Sequence, residues 1–441
     1  MGAQLSSETA SVSEPHPDLE GDRKSDVRRV LAAGAVGNLL EWFDFAIYGF
    51  MAPFIAARFF PASDPLSSLL AVYGAFAAGF LARPIGSAIF GHMGDAVGRK
   101  YMLIVSIMMM GVSTAAIGLL PAYDQIGPAA GALLVIMRIV QGISVGGEYS
   151  GASVFLAEQA PVGKRGRYAS VSNISCILGF LIGSAMVAVM THLFSADQIS
   201  DGLWRYAFLS GAIIMIVGFF LRRSLDVPEA ARPEDGGKRR VSPVVAAIRF
   251  HWRDILQIGG LALSSNVGFY ILFVFSVTYL TTRMHVPASS VMDINTLGLV
   301  VLTAFTFVGG WLGDLFGRKR MLILSNAALL VLTLPLFWLV HHADEFLVFW
   351  GFLGFAVLVG MLLGLNPGMM AEIPERHVRV SVLSIGYNLA VALFAGTSPA
   401  VVTYLLQQTG NDFSPAYYLM FFTFLALLAA IRVRKNGQDL T

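Results

Sequence analysis

One cysteine, Cys176, stands in the 441 residues, so no disulfide can close within the chain and its redox compartment leaves no mark. In its apolar setting that residue reads as a small buried hydrophobe. Charge is also scarce. Asp, Glu, Lys and Arg make up 13%, against about a quarter in a soluble chain. The net charge is only +2, and no basic run is interleaved with aromatics, which excludes nucleic acid as a partner. No G-x-x-x-x-G-K-S/T occurs, so ATP is not the energy source, and no H-E-x-x-H or paired cysteine offers a metal site. His92, His251, His285 and His377 are scattered and His341–His342 stands alone, so neither metal nor cofactor is expected. No Ser/His/Asp set lies in an apolar run, which argues against an enzyme. A secretory signal is missing too. Residues 1–26 are polar and carry Glu8, Glu14, Asp18, Glu20, Asp22 and Asp26, with no basic start leading into a short apolar run.

What the chain has instead is apolar length: 56% of it is hydrophobic. A bilayer span needs roughly 20 mainly apolar residues. Twelve candidates follow, near 30–56, 68–92, 101–120, 129–155, 168–193 and 204–221, then 255–281, 292–313, 321–340, 346–370, 380–405 and 415–431. The predicted fold is an all-α membrane protein of two six-helix halves. Residues 1–27 read as a disordered cytoplasmic tail, 28–222 as the first half, 223–254 as a cytoplasmic linker, 255–432 as the second half and 433–441 as a short tail. Pro228, Pro233 and Gly236–Gly237 argue against one continuous helix through the linker. An even number of spans puts both ends on one side. With the N-terminus inside, 25 of the 30 basic residues fall in cytoplasmic segments, as the positive-inside rule requires. The expected location is the cytoplasmic (inner) membrane, multi-pass, with both termini inside.

The halves echo each other. "GHMGDAVGRK" (91–100) and "GWLGDLFGRK" (310–319) both fit G-x-x-G-D-x-x-G-R-K at an offset of 219, and "AEQAPVGKRGRYASVSN" (157–173) loosely matches "AEIPERHVRVSVLSIGYN" (371–388). Parallel six-helix repeats are a plan of secondary transporters. Asp95, Arg99, Asp314 and Arg318 therefore read as gating residues. Carboxylates at helix ends can meet helix N-termini and nearby arginines, latching the inner gate until the halves rock.

The doubled loop resembles the major facilitator superfamily. "GNLLEWFDFAIYGF" (37–50), "RPIGSAIFGHMGDAVGRK" (83–100) and "RIVQGISVGGEYSGASVFLAE" (138–158) together resemble its metabolite:H+ symporter branch, which includes proline/betaine, α-ketoglutarate, citrate and shikimate permeases. "GEYSGASVFLAE" and "PAYYLM" (415–420) look most similar to the proline/betaine members. The resemblance spans 28–432. Two features depart from the pattern: Ala96 and Leu315 stand where the loop usually has a basic residue, and the chain stops about ten residues after the last span, without the long charged C-terminal helix of the osmosensing members.

Charges at membrane depth cost from about 2.5 kcal/mol upward, so they face the bundle interior or a wet cavity. Glu41 and Asp44 lie three apart on one face of the first span, and Tyr48 continues the stripe. Arg138, Gln141 and Glu148 lie on the fourth. Arg138 is the natural clamp for a substrate carboxylate, because its planar fork matches two oxygens. Glu41, Asp44 and Glu148 are the candidate proton carriers, the choice among them open, since burial and a changing cation neighbour shift a carboxylate's proton affinity. Substrate contacts are expected from Arg138, Tyr48, Gln141, Asn266, Tyr270, Tyr387 and Asn388, although helix-packing hydrogen bonds suit the last four as well. Arg83 is placed at the inner end of span 2, where it could snorkel. Asn366-Pro367-Gly368 offers a break in span 10. Glycines 142, 146, 147, 151, 179 and 183 read as close packing of spans 4 and 5, and no proline follows Gly183, unlike in drug antiporters. The expected function is proton-coupled import of a small carboxylate-bearing metabolite, an organic acid or a zwitterion, by a monomer in the lipid bilayer. A uniporter or exchanger of the same fold, or a transporter-like solute sensor, are the alternatives.

Overall fold

A computed structural model describes residues 17–97, 99–145, 153–154, 156–158, 160–161, 163–223, 243–342, 344–375 and 378–433. Among these no strand occurs; the chain is a succession of helices. The first half comprises α1 (Pro17–Phe59), α2 (Pro65–Val97), α3 (Arg99–Leu119), α4 (Ala129–Ser144), α5 (Arg165–Leu193) and α6 (Trp204–Arg223). The second comprises α7 (Trp252–Thr282), α8 (Ala288–Phe316), α9 (Arg318–Val340), α10 (Glu345–Glu372), α11 (Arg379–Thr409) and α12 (Ser414–Arg432). Eleven of these are long and apolar enough to cross a membrane, and α4 is a shorter apolar helix. The fourth span is expected over 129–155; its described helix ends at Ser144, and residues 146–152 lie outside the described set.

The apolar helices sort themselves by how much of each is covered. Residues of α1 and α7 are 89% buried in their apolar windows, whereas α6 and α9 are 29% and 33% buried. So α1 and α7 form the centre, and α6 and α9 the rim. The rim leaves Ile213, Ile216 and Phe220 of α6 and Leu324, Val331 and Trp338 of α9 exposed, a surface suited to lipid rather than water. Within the halves α1 packs on α5, α2 on α4 and α3 on α6; α8 and α9 pack on α10, and α7 packs on α11 and α12. The halves meet along α5 against α8 and α10, and along α2 against α11.

Apolar surface alone cannot drive helices together in lipid, so small residues must let backbones approach. A Cβ on Gly142 of α4 would stand 1.8 Å from the Gly79 carbonyl oxygen of α2, and one on Gly179 of α5 would stand 2.4 Å from the Leu39 oxygen of α1. The close packing expected at these positions is present; Gly146, Gly147 and Gly151 lie outside the described residues.

Three boundaries differ from the sequence reading. Helix α1 starts at Pro17, inside the segment read as a tail, because its polar residues meet no strong helix breaker. A short helix, Pro243–Phe250, stands in the linker, after the breakers at 228–237. Asn366-Pro367-Gly368 does not break α10, which runs unbroken through Pro367. Asn366 instead donates to the Leu261 carbonyl oxygen and to Ser265 Oγ on α7, at 3.1 and 2.8 Å, and that bond holds the helix in place. The irregularities fall elsewhere, as π-helical turns at Ile271–Phe275 in α7 and Val391–Ala395 in α11. Such turns often mark functional sites.

Candidate functional site

The charged stripe of α1 is buried where the two halves meet. Glu41 is 7% exposed and Asp44 2%, and Arg83, Arg138, Tyr48 and Gln141 are no more than 1% exposed. The two carboxylates share a face, as their spacing requires, yet they have different partners. Glu41 Oε1 meets Arg83 Nη2 at 3.4 Å. Arg83 therefore does not snorkel to an end. Its side chain turns inward because Trp42 and Phe80 offer ring faces at 5.3 and 5.5 Å and Glu41 offers an opposite charge.

Asp44 joins Arg138 indirectly. Thr114 Oγ1 on α3 donates to Asp44 Oδ2 at 2.9 Å and accepts from Gln141 Nε2 at 2.6 Å. Gln141 Oε1 in turn accepts from Arg138 Nη1, also at 2.6 Å. The Arg138 guanidinium lies over Tyr48, Phe45 and Phe76 at 4.2, 4.7 and 5.2 Å. A cation over ring faces in a desolvated site gains about 2 kcal/mol or more. Tyr48 donates to the Val72 carbonyl oxygen at 2.9 Å, which fixes its ring under that cation.

Both guanidiniums keep free donors. Among the described residues, Nε and Nη1 of Arg83 and Nε and Nη2 of Arg138 have no hydrogen-bond partner, and neither do Asp44 Oδ1 and the Tyr270 hydroxyl. Each such buried group costs about 1–3 kcal/mol if nothing meets it, and a polar ligand seated here would meet several at once. The two cations share an aromatic wall: Phe80 lies 4.8 Å from Phe45 and 5.0 Å from Phe76. Tyr270 of α7 closes it from the other half, edge-on to Phe80 at 5.3 Å. Arginine forks suit carboxylates, and ring faces suit ammonium groups.

The remaining candidates divide. Tyr387 of α11 donates to Asn266 Oδ1 of α7 at 3.1 Å, while Asn266 Nδ2 donates to the Ala262 carbonyl oxygen at 2.8 Å. Asn388 donates to Ser384 Oγ on its own helix at 3.2 Å. Within the second half these three make packing bonds, and Tyr270 faces the arginines' wall. Glu148 lies outside the described residues, as do the side chains of Asp95 and Arg99.

At the end carrying the G-D loops, Asp314 of α8 crosses to the other half. It accepts from the backbone N–H groups of Gly166 and Arg167, at 2.7 and 3.1 Å, at the start of α5. Arg318 holds it at 2.9 Å and also pairs with Glu372. With Leu315 after it, Asp314 still meets two arginines, Arg318 and, at 3.5 Å, Arg167 Nε, besides the two helix N–H groups. A Cβ on Gly310 would lie 2.7 Å from the Gly166 oxygen, so this contact needs both glycines. Nearby, Arg379 of the second half pairs with Glu158 of the first at 2.6 Å. Glu158, Arg165, Glu372 and Arg379 line one pocket of about 310 Å3. Their shared spacing, Glu then Arg seven residues on in each half, is the sequence signal that could have marked them. Thr114 carried no such signal; a threonine in an apolar helix is unremarkable. At the opposite end His192 meets Asp293 at 2.9 Å, and Gln407 donates to Asp64 at 3.1 Å. Among the described residues the halves are thus joined at both ends.

Known proteins match this chain over most of its length. A family model described as sugar (and other) transporter matches residues 30–232, and one described as Major Facilitator Superfamily matches 258–439. The chain is 33% identical over 422 residues to the glycine betaine/proline/ectoine/pipecolic acid transporter OusA of Dickeya dadantii, covering 93% of this chain and 84% of that one. It is 33% identical over 425 residues to the proline/betaine transporter of Escherichia coli K12, with the same coverage. A crystal structure of a D-xylose-proton symporter superposes with a TM-score of 0.73 at 19% identity, over 94% of this chain and 99% of that one. The inward-open xylose transporter XylE of E. coli gives 0.68 at 20% identity, over 94% and 98%. The chain is a multi-pass membrane transporter, not an enzyme, and it belongs to the major facilitator superfamily, in its metabolite:H+ symporter branch.

Proposed function

We propose that the protein is a proton-coupled symporter that imports a small carboxylate-bearing solute, a zwitterion of the proline or betaine type, across the cytoplasmic membrane. The observation that carries this reading is Arg138: wholly buried, stacked on three rings and, among the described residues, with two unpartnered nitrogens beside the buried carboxylate Asp44. A solute carboxylate takes those free N–H groups, and the neighbouring ring faces take its cationic end. Two arginines and two carboxylates among the described central residues nearly cancel, which suits a zwitterion better than a tricarboxylate. The curated relatives named for proline and betaine support the same class.

The proton is carried by one of the membrane carboxylates, Glu41, Asp44 or Glu148, whose cation neighbour changes as the halves rock. Both termini are placed on the cytoplasmic side, because with the N-terminus inside 25 of the 30 basic residues fall in cytoplasmic segments. There Asp314, Arg318, Arg379 and Glu158 form the inner latch, with Asp95 and Arg99 as its counterparts in the first half. The test is uptake into proteoliposomes with betaine, proline, a dicarboxylate and a tricarboxylate, with and without an inward proton gradient. Zwitterion uptake driven by the gradient and abolished by Arg138→Ala is expected. Uptake insensitive to both would sink the reading.

A further inference from the structure

The two carboxylates of α1 are not equivalent, and the difference assigns them separate tasks. We propose that Glu41 and Arg83 are the exchange pair that couples proton to solute, while Asp44, Thr114 and Gln141 form a positioning relay for Arg138; this rests on the symport reading above.

The first observation is contact. Among the described residues, Glu41–Arg83 is the direct ion pair at the centre of the bundle, and at 3.4 Å it is a long one. Arg83 is otherwise held by ring faces, with Nε and Nη1 unpartnered. When a proton binds a Glu41 oxygen, the attraction for Arg83 falls and the whole guanidinium fork becomes available. The carboxylate of a solute held at Arg138 then takes the glutamate's place on Arg83, one oxygen to each guanidinium. One proton enters with one carboxylate, and the charge facing Arg83 is unchanged. Loss of the proton reverses the exchange: anionic Glu41 recaptures Arg83 and the solute carboxylate is released.

The second observation is why Asp44 does not do this. Its oxygen meets a threonine hydroxyl, not a guanidinium. The Thr114 hydroxyl also lies 3.0 Å from the Met110 carbonyl oxygen. Were Asp44 to take up a proton, the hydroxyl hydrogen could turn to Met110 while Thr114 still accepted from Gln141, and Gln141 would still hold Arg138 Nη1. Arg138 therefore keeps its orientation whatever the protonation of Asp44. A relay with that property positions well and couples poorly.

The surroundings add no competing switch among the described residues. On α5 the group in electrostatic range of Glu41 and Arg83 is Cys176, and on α7 it is Tyr270; both are ordinarily uncharged at neutral pH. Helix α4 contributes Arg138, and α1 contributes Asp44 and Tyr48. Helices α3 and α6 carry titratable side chains only near their ends.

The experiment compares two assays on the full-length protein in proteoliposomes, with labelled proline and betaine as probes: solute counterflow without a gradient, and accumulation driven by an inward proton gradient. Glu41→Gln is expected to retain counterflow, to lose gradient-driven accumulation, and to show a KM that no longer varies with external pH. Asp44→Asn is expected to keep gradient-driven accumulation with a raised KM. Arg83→Lys should restore part of the counterflow that Arg83→Ala removes. Counterflow itself certifies that a variant is folded. If the wild type accumulates with the gradient and Glu41→Gln does too, the pairing is overturned and symport stands. If Asp44→Asn loses accumulation but keeps counterflow, the coupling role passes to Asp44. A wild type that ignores the gradient overturns symport, and the pairing with it.

Discussion

At the scale of single residues, Arg138 is held by stacking and by one bond to Gln141, so its planar shape matters as much as its charge. Arg138→Lys keeps the charge and loses both the stack and the fork. Its KM for solute in counterflow should rise about tenfold or more, the equivalent of ~1.4 kcal/mol. An unchanged KM would show that charge alone suffices. Thr114→Val removes the relay's middle member at nearly constant volume. One hydrogen bond is worth about 1 kcal/mol net, so a KM increase of about fivefold with accumulation retained is expected. Much of this site was legible in advance. The i, i+3 spacing of Glu41 and Asp44 in an apolar span can only mean one inward face, and Arg138 had to be inside with them. Their partners were not legible. Arg83 sits eight residues before the loop motif, and only the packing of Trp42 and Phe80 shows that it turns inward. Thr114 makes its bond across to another helix, and no sequence pattern encodes that.

Helices are fitted to one another by their glycines, and the fit gives a test with an internal control. A Cβ at Gly142 would collide with the Gly79 backbone at 1.8 Å, whereas one at Gly74, exposed on α2, would meet nothing within 4 Å. Gly142→Ala should therefore lower the melting temperature of the purified protein, by the roughly 1–3 kcal/mol of an overpacked site, and Gly74→Ala should not lower it. Equal effects would mean that the α2–α4 approach is not held by that contact. Small-residue spacing made this packing readable from sequence. The π turns were not, since nothing in "ILFVF" or "VALFA" distinguishes them from ordinary apolar helix. They show their use only in three dimensions: just after the second turn, Gly396 of α11 seats against Phe80, where a Cβ would come within 2.1 Å. Phe80 is the ring beneath Arg83, so the irregular turn of one half touches the support of the charged pair in the other.

For the molecule as a whole, the repeated loops announced two halves, and Asp314 joins them at the start of α5. Alternating access requires each end to open in turn. Cross-linking offers a direct check, because the single cysteine is buried. On a Cys176→Ser background, Glu158→Cys with Arg379→Cys, joined by a short bismaleimide, should stop transport. His192→Cys with Asp293→Cys should do the same at the opposite end. Wild-type turnover with either end tied would refute a rocking mechanism. The central claim is that solute and proton travel together, and the most direct measurement is of the proton itself. Proteoliposomes are suspended in weakly buffered medium with no imposed gradient, and proline or betaine is added outside. Symport predicts a rise in external pH that follows solute entry and vanishes with Arg138→Ala. Solute entry with no change in external pH would contradict it.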